Sequence, residues 1–159
     1  IEFFKEVIYL NSEDGIKPIS VFINSPGGEI DNGLLVYDAI IGSRAPIHMF
    51  CIGCAYSMGA VLFAAGKERY MLTHSKLMLH EPLLGERIGG NASSIKSISD
   101  SLLETKSMMN KLLAFHTGKT EKEIDKLTSY DHYFTAKEAV EMGLADGIKD
   151  FSAIMEGCV

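Results

Sequence analysis

The sequence predicts one α/β domain with a largely parallel sheet, and three features carry that expectation. Residues 19–24 (Ile-Ser-Val-Phe-Ile-Asn) form a β-branched and aromatic run halted by Ser25-Pro26-Gly27-Gly28. Residues 46–52 form a second apolar run ended by Gly53, and the stretch between the two runs has helical periodicity. A third β-rich region, residues 69–72 and 76–80, follows another helix-like segment. Strand, helix, strand, helix, strand is the order that sets parallel strands side by side under covering helices.

Along the chain, residues 1–6 (Ile-Glu-Phe-Phe-Lys-Glu) start inside an amphipathic helical pattern and without a methionine, as in a processed or truncated form. After the first strand, Asp31 is expected to cap a helix on which Ile30, Leu34, Tyr37 and Ile41 recur at helical spacing until Gly42. The second strand should end at Gly53. Ser57 then opens a helix in which Gly59, Ala60, Ala64 and Ala65 permit close packing, with Gly66 as its C-terminal cap.

A glycine-rich segment, residues 84–90, precedes a long helical pattern over 92–116. Ile95, Ile98, Leu102, Thr105, Met109, Leu112 and His116 repeat there at three-and-four spacing, and Leu103, Met108, Leu113 and Phe115 widen the apolar surface. At about 1.5 Å per residue such a helix runs roughly 36 Å, longer than a domain of this size needs. A partner is therefore expected to cover what the domain does not. Gly118 stops the helix. Thr120 with Glu123 and Thr135 with Glu138 read as capping boxes of two short helices. Gly143 closes the second, and a last strand is expected around 144–148.

A chain of 159 residues is long enough for one substantial core, and 47% hydrophobic with 23% charged residues is a globular balance, so disorder is not expected. The net charge of −6 leaves no basic stripe to neutralise phosphates, which argues against nucleic acid. No apolar run reaches the length that spans a bilayer, and no signal-peptide pattern stands at the start. With the odd count of Cys51, Cys54 and Cys158, this suits a reducing, cytoplasmic setting. Cys51 and Cys54 have C-x-x-C spacing, but no second Cys or His pair follows, so both are read as packing residues and no metal is expected. Residues 85–90 lack the Lys-Ser/Thr ending of a phosphate-binding loop.

The chemistry concentrates where strands end. Ser57 lies where a strand gives way to a helix, within Gly53-Cys54-Ala55-Tyr56-Ser57-Met58-Gly59-Ala60, one βαβ unit after Gly27-Gly28. Both turns can therefore open on one sheet edge, the place where sites form in such folds. A serine beside backbone N–H groups can attack a carbonyl while those groups hold the oxyanion, which reads as a serine hydrolase. The competing reading of Ser57 is a helix N-cap, and Ala55 replaces the first glycine of the G-x-S-x-G elbow. The hydroxyl needs a base, and five histidines compete. His48 lies inside a strand, His74 in a polar turn and His116 near a helix C-terminus. His80 ends a strand before Glu81-Pro82 and is the first choice, with His132 second. Asp131, in an expected irregular link over 129–134, is a candidate acid whose bland reading is a turn residue.

Taken as a set, 24–28 (Asn-Ser-Pro-Gly-Gly), 55–60, Leu79-His80-Glu81-Pro82 and 134–139 (Phe-Thr-Ala-Lys-Glu-Ala) resemble the Clp protease proteolytic subunit, in order from Asn24 to Ile148. The resemblance implies a crotonase-like α/β fold comprising a head (1–84 and 119–159) and a protruding handle (85–118), with the family's N-terminal axial segment missing. It implies Ser57 as nucleophile, His80 as general base and Asp131 as its orienting acid, with Gly28 and Met58 supplying oxyanion N–H groups. Gly27, Leu84, Gly85 and Ile88 are implied in binding substrate along a strand edge. It further implies two stacked seven-membered rings, a partner AAA+ unfoldase that uses ATP, unfolded protein substrates, and no cofactor in this chain. Cys54, Tyr56 and Ser129-Tyr130 depart from the family's usual residues, and Tyr56 is expected to narrow the site. A non-catalytic ring subunit and an acyl-thioester hydratase or isomerase are the competing classes.

Overall fold

A computed structural model describes residues 1–156, and Cys158 lies outside them. Helix α1 (Glu2–Glu13) leads into β1 (Ile19–Ser25), α2 (Ile30–Gly42), β2 (Ile47–Tyr56), α3 (Met58–Ala64), β3 (Glu68–Met71) and β4 (Lys76–Leu79). Helix α4 (Ala92–Thr117) and α5 (Glu121–Thr128) follow, then β5 (His132–Thr135), α6 (Ala136–Glu141), β6 (Gly147–Ile148) and α7 (Phe151–Glu156). The strand order is β5-β4-β2-β3-β6, with β1 on the other side of β2. All pairings are parallel except β4 with β5. The β1–β2 and β2–β3 crossovers are supplied by α2 and α3, whereas β3 passes to β4 through the short link 72–75, the two pairing with successive halves of β2.

β2 is the organising strand. Its first half pairs with β3 (His48 to Cys51 against Glu68 to Met71), and its second half pairs with β4 (Cys54 to Tyr56 against Lys76 to Met78). Gly53 was expected to stop this strand, yet the strand runs through it. The glycine serves packing instead: a Cβ there would collide with the Asn24 side chain, whose Oδ1 accepts from the Cys54 N–H at 3.1 Å. Across the first half, Phe22, Phe50 and Tyr70 are register partners, and their rings stack at 5.4 and 5.7 Å, pinning the alignment. The core lies between sheet and helices, with Met49, Cys51, Phe63, Met71, Leu77 and Ile124 nearly or fully buried.

Helix ends follow their sequence signals with two exceptions. Both capping boxes form, and Asn91 caps α4 by accepting from the Ser94 N–H, with Gly118 left-handed at the other end. The N-cap of α2 is Glu29; Asp31, expected there, lies in the first turn. The C-cap of α3 is Ala65, one residue before Gly66. No residue of α4 from Ala92 to Met108 is buried; only Met109, Asn110 and Leu113 on its last turns are.

Two loops differ from expectation. Residues 129–134 are not all irregular, because His132 begins β5, whose antiparallel ladder with β4 places His132 opposite Leu79. Residues 84–90, expected as a strand edge, are not a strand, since no strand among the described residues lies alongside to share a ladder. The expected last strand is reduced to β6.

Candidate active site

The backbone at Ser57 is unlike any other described position outside glycine: φ is 55° and ψ −122°. A non-glycine residue in such a conformation costs about 1–3 kcal/mol and persists only where its surroundings hold it. Here the Ser57 N–H donates to the Met78 carbonyl at 2.8 Å, and Ser57 is the pivot between β2 and α3. The sharp turn lifts the side chain out of the sheet. The competing N-cap reading fails in its main point, since the Ser57 side chain makes no cap hydrogen bond to α3. Its Oγ instead lies 2.6 Å from His80 Nε2.

His80 follows the last residue of β4. The pairing of Leu79 with His132 brings the next segment of the chain to its side, and Asp131 Oδ1 stands 3.4 Å from His80 Nδ1. The His80 side chain is 17% exposed, whereas that of Asp131 is 62% exposed. Ser57, His80 and Asp131 therefore stand in sequence, with the hydroxyl against one imidazole nitrogen and the carboxylate nearest the other.

The two candidate oxyanion donors come from different elements. Met58 is the first residue of α3, so its N–H is among the helix donors that have no intrahelical acceptor. Gly28 lines the same cleft as Ser57 and His80. Gly27 lies just behind, at φ 93°, where a Cβ would sit 2.6 Å from the Tyr56 carbonyl oxygen. Only glycine fits that close approach between the Ser25–Gly28 turn and the turn at Ser57.

The cleft measures about 850 Å³ and runs between the start of α2, the segment after His80 and the exposed half of α4. Leu84 lines it, whereas Gly85 and Ile88 open onto a separate shallow surface on the outer side of the same loop. Beneath Ser57 lies a narrow pit of about 30 Å³ walled by Val61, Leu79, Met109 and Leu113, with Asn110 and Thr128 as its polar members. Sequence reading missed this pit, since its walls come from five separate elements, α2, α3, β4, α4 and α5. Tyr56, expected to narrow the site, turns away and meets Tyr133 edge-on at 5.5 Å.

Three other histidines, His132, His116 and His48, are otherwise engaged. His132, second choice as base, is stacked between Tyr130 and Phe134 at 5.0 and 4.3 Å. His116 Nε2 shares a 2.8 Å hydrogen bond with the Tyr37 hydroxyl, and burial, then the Arg69 charge, lowers its pKa below the ordinary histidine value. His48 Nδ1 lies 3.6 Å from Glu68. Burial pushes the Cys51 thiol up, which disfavours a thiolate, and the Cys54 sulfur points to Asn24 Oδ1 at 3.5 Å. Among the described residues no group of three or more metal-ligating side chains converges, and no helix is long and apolar enough to cross a membrane.

A family model described as Clp protease matches residues 2–151. The chain belongs to the Clp protease family. That membership covers nearly the whole chain, identifies it with peptidases, and accords with the mixed α/β architecture.

Proposed function

We propose that this Clp protease family member is a serine endopeptidase that cuts unfolded polypeptide through an acyl-serine intermediate. The observation that carries the reading is the 2.6 Å approach of Ser57 Oγ to His80 Nε2 from a turn whose backbone is otherwise unfavourable. In this scheme His80 Nε2 takes the hydroxyl proton as Ser57 Oγ bonds to the scissile carbonyl carbon. Asp131 accepts from His80 Nδ1–H and favours the imidazolium that forms. The carbonyl oxygen becomes an oxyanion facing the Gly28 and Met58 N–H groups. Collapse breaks the C–N bond, and the imidazolium returns its proton to the departing amine. Water then attacks the ester with His80 again as base, releasing the acid and restoring Ser57. The cycle needs no metal or cofactor.

The 850 Å³ cleft takes the peptide, with Leu84 on its wall. We further assign α4 as the protruding handle of a crotonase-like fold, since no residue of its first half is fully buried in its own domain. Its cover is the handle of an opposing ring in a double heptamer, served in the cytoplasm by an AAA+ unfoldase that consumes the ATP. Gly85 and Ile88 then form the outer side of the substrate-binding edge. Labelling with a fluorophosphonate, followed by peptide mapping, tests the reading: the adduct is expected on Ser57, and Ser57→Ala should abolish both labelling and peptide hydrolysis. Near-full peptidase activity in Ser57→Ala would overturn it.

A further inference from the structure

One cationic side chain outside the triad touches both sides of it. Lys106, midway along α4, places Nζ 2.6 Å from Glu81 Oε2 and 3.0 Å from Asp125 Oδ1. Glu81 is the residue immediately after His80. Asp125 belongs to α5, whose last residue, Thr128, stands three positions before Asp131. The same Asp125 oxygen accepts from Asn110 Nδ2 at 3.2 Å, and Asn110, one helical turn after Lys106, is a wall of the pit beneath Ser57. A backbone bond from the Glu81 N–H to the Thr128 carbonyl, at 2.8 Å, closes the loop between the two segments. Hydrogen bonding to Glu81, then to Asp125, raises the Lys106 pKa, so the ammonium is a fixed charge.

The contact that this arrangement governs is the weak one. His80 Nδ1 and Asp131 Oδ1 are 3.4 Å apart, longer than an optimal charge-assisted hydrogen bond, and Asp131 is mostly exposed. The local tethers act through the neighbouring residues: the Leu79–His132 pairing, the Glu81–Thr128 bond and the Lys106 bridge.

We propose that Lys106 is a positioning residue, whose ammonium draws Glu81 and Asp125 together and thereby sets the His80–Asp131 separation from the long helix. The inference rests on reading Ser57, His80 and Asp131 as the triad. It assigns α4 a second duty: any shift of the helix at Lys106 is passed to both the base and the acid. Half-exposed ion pairs contribute little to global stability, so the effect should appear in turnover far more than in unfolding.

The test compares the parent with Lys106→Met, which keeps an apolar stem and removes the charge, and with Lys106→Arg, which restores a cation. A third variant, Glu81→Gln with Lys106→Met and Asp125→Asn, removes the clamp without leaving a carboxylate unpaired. The readouts are kcat and KM on a short peptide, the rate of fluorophosphonate labelling at Ser57, and the thermal midpoint. Lys106→Met should lower kcat by at least about tenfold, the scale set by sub-ångström to ångström misplacement of a catalytic group. KM should stay within about twofold, labelling should slow in parallel, and Lys106→Arg should recover most of the loss. The triple variant should remain slow while unfolding near the parent's midpoint. Parent-like kcat in Lys106→Met or in the triple variant would overturn the proposal, as would a loss carried by KM. If the parent neither labels at Ser57 nor cleaves peptide, the reading of the triad falls and takes this inference with it, an outcome distinct from a labelled parent indifferent to Lys106.

Discussion

Replacing Asp131 by asparagine removes one negative charge from beside His80 and leaves the side chain nearly the same shape. In the proposed scheme the carboxylate acts chiefly when His80 has taken the Ser57 proton, so the lost attraction belongs to the transition state and not to bound substrate. At the observed separation of 3.4 Å, two unit charges attract by about 1.2 kcal/mol in a fully aqueous dielectric and by about 4.9 kcal/mol at an effective dielectric of about 20. At about 1.36 kcal/mol per decade, these limits correspond to roughly 8-fold and roughly 4,000-fold in rate. The Asp131 side chain is 62% exposed, which moves the value toward the aqueous end. The expected loss in kcat for Asp131→Asn is therefore about 10- to 300-fold, with KM nearly unchanged. Steady-state kinetics on a short fluorogenic peptide, with fluorophosphonate labelling as a check on Ser57, would measure it. A kcat within about twofold of the parent would refute the assignment of Asp131 as orienting acid, and a loss confined to KM would refute the transition-state argument.

Two further perturbations probe the frame around the site. Asp146 accepts from Arg69 Nε at 3.0 Å and from Arg69 Nη2 and its backbone N–H at 2.8 Å each, and the Arg69 contacts lower its pKa. A carboxylate with a depressed folded pKa stabilises the fold above the unfolded value of 3.8, and that contribution is lost as pH falls through the folded value. Asp146→Asn should thus cost about 1–2 kcal/mol at neutral pH and show a shallower acid-side decline in urea-unfolding curves; identical acid limbs would contradict this. On α4, Leu103 is 60% exposed, and Leu103→Asp should place a charge where a partner copy is expected, so the variant should sediment as smaller species than the parent. Unchanged sedimentation would remove Leu103 from that contact.

How much of this was legible in the sequence depends on the kind of signal each residue sends. β1 and the helix ends at Gly118, Thr120 and Thr135 announce themselves locally, through β-branched content and cap chemistry, and they form as expected, whereas β2 starts as read but runs past its expected end. Gly53 misleads because glycine has two uses: it stops strands, and it also admits a neighbouring side chain, here that of Asn24. The pattern on α4 misleads in the opposite way. Met109 carries the same three-and-four spacing as Ile95, yet Met109 is 6% exposed and Ile95 46%, because only the last turns of the helix lie on the domain. Periodicity defines a face but not what lies opposite it. β5 is only four residues long, too short for alternation to stand out, so its pairing with β4 was hidden and so was the path that carries Asp131 to His80. Placing Asp131 in the site from sequence rested on the family resemblance.

The strained turn at Ser57 and the exposed half of α4 bear on one question from opposite ends. A serine held at positive φ is kept there by what packs around it, and the glycine at position 27 together with the Met58 N-terminal turn shows that packing to be local and complete within one chain. In the proposed triad, the Ser57–His80 pair is thus supported by contacts from its own chain. Asp131, the acid of that proposal, sits on the link after α5, is mostly open to water, and is tied through Lys106 to a helix with no fully buried residue before Met109. A second copy that enclosed α4 and also covered the exposed Asp131 would lower the local dielectric between Asp131 and His80. The size of the Asp131→Asn effect then becomes a gauge of assembly: near the lower end of its range when the chain is dispersed, and rising toward the upper end when rings are intact. Measuring that variant and its parent at protein concentrations above and below dissociation separates the two, and an effect independent of assembly would show that the triad is complete in a single chain.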